Sequence, residues 1–425
     1  MQEINKIKQS IIDLCAIESV QQPPLEGMPF GKGVNDALIF TLNLANSMGF
    51  ETVNYDGYAG EIIWHGEDEN EQTMGILCHL DVVKAGRLGD WKYPPFTPTE
   101  EDGKIYARGT LDDKGPTICV LYMLKELKDE GFKPKKTIKF ILGCNEESGW
   151  ECIKHYKKVA KMPDFGFSPD GNFPVLYAEK GIYHARFEFD CSPLIKICKG
   201  GEMANMVCDY AYAVAPVNEE AAIKYGLTVN GEKVESFGVS AHGSTPDKGK
   251  NAIAPLLLYL AECGLIDKYV YDSLFGDCYG LKKLNDETGY LTMSPDIIEA
   301  QDGKMYITVD FRYPATFDGQ VMIDAVKKIA PSTLIGNHQL PLFNSKDSFL
   351  IKTLLNIYNE ETNSDLKPMA IGGGTYARAL PIGVAFGPEF PGEDAPVHEP
   401  NEYITVKNIE KMCAIYKRAI KELTK

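Results

Sequence analysis

Apolar residues recur along this chain in two periods, one of three to four residues and one of two. The first period is typical of amphipathic helices, and the second, or a short continuous apolar run, is typical of strands. The helical period predicts helices over about 4–15, 34–48, 115–130, 219–225, 251–263, 320–329 and 405–423. The strand patterns predict strands over about 61–65, 74–83, 137–144, 165–168, 185–189, 234–240 and 305–312.

The order of these elements indicates two domains. Strands and helices alternate up to about Gly181, which is the pattern of an α/β domain with a mainly parallel sheet. The following segments are mixed and predict an α+β domain, and long helices return from about Lys346. We therefore predict a first domain made of residues 1–181 and 345–425, and a second domain of residues 182–344 that is inserted into it.

Acidic residues and histidines stand where predicted strands end or where Gly-punctuated turns follow them. Such positions carry the ligand-binding residues of open α/β sheets. Imidazole and carboxylate ligands together suit one or two divalent ions such as zinc, manganese or cobalt. The pattern predicts a metallohydrolase whose candidate residues are His79, Asp81, Asp112, Asp113, Glu146, Glu147, Asp170 and His398.

Each candidate also has an ordinary structural explanation. A histidine at a strand end is often a satisfied core residue, and adjacent acids before a helix often cap it. His398 lies between two prolines, which is unusual for a core histidine. Because His79 and Asp81 share side-chain parity in a strand, we expect the Asp81 carboxylate to orient the imidazole. The candidates are hard to explain jointly as coincidence.

The composition narrows the classes of partner and the compartment. A net charge of -16 argues against nucleic acid and anionic membranes, which the protein's own field would repel. Eleven cysteines without a CxxC pair predict a reduced, cytoplasmic chain, although a bridge between Cys191 and Cys198 is the alternative. The start of the chain shows no secretory signal, and no apolar segment is long enough to span a bilayer.

Several motifs follow one another in a fixed order over nearly the whole chain. They are Cys78–Val83, Ala107–Pro116, Asn145–Trp150, Ser168–Asp170, Gly238–Ser244, Asp310–Pro314, Gly372–Arg378 and His398. Together they resemble the co-catalytic dizinc aminoacylase/carboxypeptidase superfamily, and within it the branch of dipeptidase V and the carnosinase-like (Xaa-His) dipeptidases. The resemblance implies an aminopeptidase-like dimetal catalytic domain with an inserted lid.

The resemblance implies roles for the residues of the first domain. His79 and Asp170 would hold one ion, Glu147 and His398 would hold the other, and Asp112 would bridge them. Asp81 would support His79, and Glu146 would be the general base for a bridging water. The peptide bond between Asp112 and Asp113 is cis in relatives.

In the lid, the resemblance assigns residues to the substrate. His242 would polarise the scissile carbonyl and stabilise the oxyanion. Arg312 and Asn205 would bind the C-terminal carboxylate, with Arg312 pairing with Asp310 on the surface as the alternative explanation. The turn that contains Gly373 and Gly374 would form the backbone wall of that pocket. Departures from the family (Cys78 for a usual Gly, Lys84 for Pro, Ala107 for Gly) leave substrate preference open.

These observations predict a metallopeptidase, specifically a dipeptidase for short peptides with a free amino terminus and a free C-terminal carboxylate. Zinc is the first choice for the two divalent ions, and manganese or cobalt are alternatives. An N-acyl amino acid deacylase of the same superfamily is the alternative enzyme. A non-catalytic peptide- or metal-binding protein is a further alternative, although Glu146 and His242 argue against it. The long inserted domain predicts a monomer in which His242 acts within its own chain.

Overall fold

The computed structural model describes residues 2–68 and 70–425 and divides the chain into two compact units. The first unit comprises the residues up to Tyr177 together with Asn344–Met369 and Thr375–Lys425, and the second comprises Ala178–Phe343 and Ala370–Gly374. The short segment Ala370–Gly374 was assigned by sequence to the first domain. It groups with the second unit because Ile371 O accepts the Lys180 N–H at 3.0 Å.

Ten α-helices, four short 3₁₀ helices and twenty-four strands form the regular structure of the described residues. The helices are α1 (Gln2–Cys15), α2 (Lys32–Ser47), α3 (Lys114–Asp129), α4 (Glu151–Val159), α5 (Glu219–Lys224), α6 (Ile253–Glu262), α7 (Tyr269–Leu274), α8 (Gly319–Ile329), α9 (Phe349–Thr362) and α10 (Val406–Leu423). The strands are β1 (Glu51–Tyr55), β2 (Ala59–Trp64), β3 (Met74–His79), β4 (Thr99–Glu101), β5 (Lys104–Tyr106), β6 (Ile138–Gly143), β7 (Phe165–Ser168), β8 (Gly171–Asn172), β9 (Leu176–Glu179), β10 (Gly181–Asp190), β11 (Ile197–Gly200), β12 (Tyr210–Val214), β13 (Thr228–Asn230), β14 (Lys233–Phe237), β15 (Asn285–Asp286), β16 (Gly289–Tyr290), β17 (Thr292–Gln301), β18 (Lys304–Tyr313), β19 (Ser332–Gln339), β20 (Leu342–Phe343), β21 (Met369–Ile371), β22 (Gly383–Ala385), β23 (Pro388–Glu389) and β24 (Tyr403–Thr405).

The sheet of the first unit has the strand order β1-β2-β6-β3-β7-β22. Its central pairs, β6 with β3, β3 with β7 and β7 with β22, are parallel, whereas β1–β2 and β2–β6 are antiparallel. All six residues of β3 are buried, as expected for a strand at the centre of a parallel sheet. The predicted α/β class is confirmed, with a mixed sheet that is parallel where the candidate ligands follow the strands.

Helices α3, α9 and α10 form a packed layer of the first unit, with α10 against both of the others. The apolar stripe that predicted α10 is buried along its length, from Ile409 to Ile420. Gly49 and Gly131 follow α2 and α3 with φ of 81° and 78°. Glycine adopts this left-handed backbone without steric cost, so both helices end where the pattern predicted.

The strand predicted over residues 74–83 is shorter than expected. Strand β3 ends at His79, after which Leu80 N donates to Gly143 O and Val82 N donates to Ser19 O. The chain thus leaves β3 at its last residue and turns toward the segment that follows α1. His79 and Asp81 therefore do not share a strand, and the expected parity between them does not apply.

The second unit contains an antiparallel eight-stranded sheet of order β13-β14-β12-β11-β17-β18-β10-β19. Strands β10, β17 and β18 each have ten residues. Strands β10 and β18 are longer than the runs that predicted them, and β17 was not predicted from the sequence. The core of the second unit joins buried residues of the sheet with those of α6 and α8, including Phe187, Ile307, Leu256 and Met322. This α+β arrangement agrees with the mixed pattern of the segment.

Two further features bear on the sequence predictions. All eleven cysteines have free thiols, so Cys191 and Cys198 are not bridged. Among the described residues, none of the helices combines the length and the apolar character needed to cross a bilayer.

Candidate metal centre

Five side chains from separate parts of the first unit converge at the carboxyl ends of its central strands. His79 ends β3, Asp112 precedes α3, Glu147 lies between β6 and α4, and Asp170 follows β7. His398 comes from the loop between β23 and β24 and has a φ of 63°. The structure thus brings together the five ligands that the sequence predicted.

The carboxylate of Asp112 lies between the two histidines and presents one oxygen to each. Its Oδ1 is 2.8 Å from His79 Nε2, and its Oδ2 is 2.9 Å from His398 Nε2. Asp170 Oδ1 lies 4.0 Å from His79 Nε2, and Glu147 Oε1 lies 3.1 Å from His398 Nε2. Two groups of donors therefore share Asp112, in the pairing that the family resemblance implies.

The donor set suits divalent ions. Ligand atoms of His79, Asp112 and Glu147, which come from both donor groups, lie within 4.8 Å of one another. Histidine nitrogen and carboxylate oxygen are ligands that zinc binds at about 2.0–2.2 Å. Burial, together with the charge of the nearby Asp112, raises the pKa of Asp170 to about 7. Clustered buried carboxylates of this kind are stabilised when cations neutralise them.

Asp81 is buried, but its contacts differ from the expected one. The His79 Nδ1 atom lies 3.0 Å from the backbone carbonyl oxygen of Asp81, whereas the carboxylate oxygen lies 3.7 Å away. The carboxylate instead accepts the backbone N–H groups of Glu146, at 2.9 Å, and Glu147, at 3.0 Å. The main chain of Asp81 thus orients the imidazole, and its side chain holds the turn that carries the two glutamates.

Glu146 and Glu147 lie in the turn between β6 and α4, and their side chains have different partners. Trp150 Nε1 donates to Glu146 Oε1 at 3.1 Å, while Glu147 approaches His398. The turn is closed by Asn145, whose side chain accepts the Glu151 N–H at 3.0 Å. Burial raises the pKa of Glu146 well above its usual value, and the Asp170 charge adds to this.

Three residues hold the backbone around the candidate ligands, and the sequence analysis did not predict this role for them. Asp113 is joined to Asp112 by a cis peptide bond, as the family resemblance implied, and its Oδ2 accepts the His79 N–H at 3.1 Å. Glu402 and Arg108 form a fully buried ion pair, with 2.7 Å between Oε2 and Nη1. Arg108 and Asp113 lie inside a motif, whereas Glu402 has only its place four residues after His398 as a signal.

The second unit gathers the residues that the resemblance assigned to the substrate. Arg312 is 4% exposed, and its Nε donates to both carboxylate oxygens of Asp310, at 2.8 and 2.9 Å. Arg312 Nη1 donates to Gly372 O at 3.0 Å, beside Gly373 and Gly374 in the chain. Arg312 therefore does pair with Asp310, as the alternative explanation held, but it does so in the interior and not on the surface.

His242 and Asn205 lie in adjacent segments of the same unit. The Gly243 N–H donates to Asn205 O at 2.6 Å, and Met206 and His242 form a β-bridge. The Ser244 N–H donates to His242 Nδ1 at 3.1 Å. Since Nδ1 accepts a hydrogen bond from a backbone donor, the neutral ring carries its proton on Nε2. Burial lowers the pKa of His242, and the Arg312 charge lowers it further.

A Cβ on either of two glycines in these segments would collide with a neighbour. A Cβ on Gly243 would lie 2.4 Å from Asp310 Oδ2, and one on Gly372 would lie 2.8 Å from Ser244 Cβ. Glycine thus allows the His242 segment, Asp310 and the Gly372 turn to approach one another closely.

Comparison with known proteins identifies the family of the chain. Residues 75–422 match the model of peptidase family M20/M25/M40. The chain is 38% identical over 437 residues to a Bacillus subtilis protein named "Putative dipeptidase YtjP", covering 94% of this chain and 92% of the relative. It is 34% identical over 459 residues to a Staphylococcus saprophyticus protein named "Putative dipeptidase SSP1012", covering 98% and 97%.

Solved structures share the fold at low sequence identity. Human carnosine dipeptidase 1 superposes with a TM-score of 0.60 at 16% identity, covering 100% of this chain and 97% of that one. Aminoacylhistidine dipeptidase from Vibrio alginolyticus gives a TM-score of 0.58 at 14% identity, covering 99% and 96%. The resemblance seen in the sequence motifs is confirmed. The chain belongs to peptidase family M20/M25/M40.

Proposed function

We propose that the protein is a metal-dependent dipeptidase that hydrolyses short peptides with a free amino terminus and a free C-terminal carboxylate. The observation that carries this proposal is the position of Asp112, which offers one carboxylate oxygen to each of two donor groups. A single ion would not need such a bridge. The names of the relatives, which are dipeptidases, support the choice of substrate class.

The ions would be zinc, with manganese or cobalt as alternatives, held by His79, Asp112, Glu147, Asp170 and His398. When bound, two divalent ions supply Lewis acidity and lower the pKa of a shared water. Glu146 takes the proton of the attacking water on its carboxylate, which Trp150 Nε1 orients at 3.1 Å. Asp81 keeps the backbone under this base fixed.

His242 donates a hydrogen bond from Nε2–H to the oxyanion that forms at the scissile carbonyl. Its neutral state and its tautomer suit this task, because the Ser244 N–H occupies Nδ1. Because the imidazole donates in its neutral form, His242 needs no acidic partner to hold a positive charge on the ring.

Arg312 binds the terminal carboxylate of the substrate, together with the amide of Asn205 and the backbone of Gly373 and Gly374. Arg312 Nε and Nη1 are engaged by Asp310 and Gly372 O, and Nη2 has no partner among the described residues. The guanidinium is therefore held in one orientation with donors left for an anion. We place this activity in a cytoplasmic monomer.

A substrate panel tests the proposal. Metal-free protein is reconstituted with zinc, manganese or cobalt and assayed on dipeptides, tripeptides and N-acetyl amino acids. We expect hydrolysis of free dipeptides that is lost on chelation and restored by metal. Preferential cleavage of N-acetyl amino acids would instead make the protein a deacylase. Asp112→Ala should lose metal. The control variant Asp102→Ala, which changes an exposed turn, should keep it.

A further inference from the structure

Glu402 is fully buried, and each of its carboxylate oxygens accepts two hydrogen bonds. Oε2 accepts from Arg108 Nη1 at 2.7 Å and from Gly109 N at 3.0 Å. Oε1 accepts from Leu111 N at 2.8 Å and from Asp112 N at 3.2 Å. One side chain thus gathers three backbone N–H groups of the turn that carries Asp112.

Apart from Glu402, this turn is held by the Thr110 hydroxyl, which donates to Ala107 O at 2.8 Å, and by Gly109 O, which accepts the Lys114 N–H at 3.1 Å. Gly109 has a φ of 88°, and the four residues from Gly109 to Asp112 belong to no strand or helix. Buried N–H groups need acceptors, and a group left without one costs its full desolvation. The direction of the Asp112 side chain depends on this backbone, so the Glu402 carboxylate fixes where the two Asp112 oxygens point.

The segment from His398 to Glu402 contacts Asp112 twice. His398 Nε2 lies 2.9 Å from Asp112 Oδ2, and Glu402 holds the Asp112 N–H. The segment is itself anchored, because Ala107 N donates to Glu402 O at 3.1 Å and Tyr403 pairs with Tyr106 across β24 and β5. The five-residue segment from His398 to Glu402 therefore contacts both the backbone and the side chain of Asp112.

We infer that Glu402 is a positioning residue that keeps Asp112 in the bridging orientation, so that the two ions bind as a pair. The inference rests on the proposed two-metal site and adds a residue to it. A different role, as a mere partner for the buried Arg108, would change the stability of the fold without changing how the folded chain binds metal.

Metal titration separates these roles. Metal-free wild type, Glu402→Gln and Glu393→Gln are titrated with zinc by calorimetry, and bound metal per chain is measured by mass spectrometry. Glutamine keeps the size of the side chain but places an N–H donor against backbone donors. We expect Glu402→Gln to bind zinc about 10- to 100-fold more weakly and to hold fewer than two ions per chain.

Glu393 is the matched control. Its carboxylate accepts from Asn408 Nδ2 at 2.6 Å and Lys411 Nζ at 3.1 Å, and neither donor belongs to the Asp112 turn. Glu393→Gln should therefore match wild type in affinity and stoichiometry. Circular dichroism confirms which variants are folded before titration.

Wild-type affinity and stoichiometry in folded Glu402→Gln, with only a lower melting temperature, would overturn the inference. If that variant does not fold, Glu402→Asp is titrated in its place, since it keeps the charge but is too short to reach all four donors. Weakened zinc binding by Glu402→Asp supports the positioning role, and unchanged binding overturns it. Failure of wild type itself to bind two ions would instead contradict the proposed function.

Discussion

The carboxylate of Asp81 accepts the backbone N–H of Glu146, with 2.9 Å between Asp81 Oδ1 and the nitrogen. Its other oxygen accepts the N–H of Glu147 at 3.0 Å. One buried carboxylate thus fixes the main chain of the proposed base and of a proposed metal ligand. The position of these glutamates therefore depends on a side chain that touches neither of their carboxylates.

Replacing Asp81 with Asn should lower kcat about 10- to 100-fold while metal content stays near that of wild type. An amide offers one acceptor where two are used, and its NH₂ faces a backbone donor. Steady-state kinetics and metal analysis of the same preparation measure both quantities. Asp164→Asn is the control, because Asp164 also accepts two donors, from Thr73, but away from the site. Loss of metal with unchanged kcat in the loaded protein would show that Asp81 acts on His79 instead.

Replacing Glu146 with Gln should lower kcat by a factor on the order of 10²–10⁴, because the base that takes the water's proton is lost. Metal binding should persist, since Glu146 is not among the proposed ligands. Glu151→Gln, at an exposed glutamate that pairs with Lys154, serves as the control and should keep full activity. Activity within tenfold of wild type in Glu146→Gln would exclude this residue as the base.

Replacing Arg312 with Ala should cost about 3 kcal/mol or more in kcat/KM, because the substrate carboxylate loses a buried charged partner. Dipeptides with an amidated C-terminus should be poor substrates of wild type for the same reason. Arg186→Ala is the control, since Arg186 forms an exposed pair with Glu299 on the same sheet. Equal cleavage of amidated and free dipeptides would rule out carboxylate binding by Arg312.

The stability of the second unit should fall as pH rises, because of Asp296. The pKa of Asp296 is raised to about 8, because the effects of burial and of the Asp310 charge outweigh the lowering by the Ser294 hydroxyl and the Arg312 charge. Between about pH 4 and about pH 8 the folded chain holds a proton that the unfolded chain has released. The free energy of unfolding therefore decreases through this range and levels off above it.

Asp296→Asn should remove this dependence, so its stability relative to wild type should increase with pH by up to about 1.4 kcal/mol per unit. Urea unfolding at pH 5, 6, 7 and 8 measures the difference. Asp302→Asn, on an exposed turn of the same unit, is the control. A constant difference between Asp296→Asn and wild type at all four pH values would contradict the assignment.

A mixture of His242→Ala and Glu146→Ala chains should remain inactive, because we propose that His242 acts within its own chain. Size-exclusion chromatography of each variant should give a monomer. Recovery of dipeptidase activity on mixing would mean that the histidine serves a neighbouring subunit, and the monomer proposal would fail.

Much of the first unit was predictable because its signals are local. The helices follow apolar periodicity and glycine stops, and the ligands follow strands whose apolar runs are short and distinct. The contacts of Asp81 were not predictable from periodicity, because β3 ends at His79 and the next residues turn out of the sheet. A pattern of apolar residues cannot show at which residue a strand stops pairing with its neighbours in the sheet.

The strand order of the second unit and the contacts of Glu402 could not be predicted from the sequence, because they join residues that are far apart in the chain. Strands β10 and β18 pair across more than a hundred residues, and Glu402 meets Leu111 across 291. Such contacts carry no spacing signal in a single chain. The exception is Arg312, for which the motif suggested a buried binding role and the neighbouring Asp310 suggested the pair that forms.

The position of His398 along the chain sets when the metal centre can form. Proteins are synthesised from the amino terminus, and domains fold as they emerge. His79, Asp112, Glu147 and Asp170 are made before the second unit begins, but His398 and Glu402 follow it. A nascent chain that ends within the second unit has four of the five proposed ligands and lacks the Glu402 carboxylate that accepts from the Asp112 turn. Loading of the two proposed ions must therefore wait until the segment with His398 and Glu402 has been made.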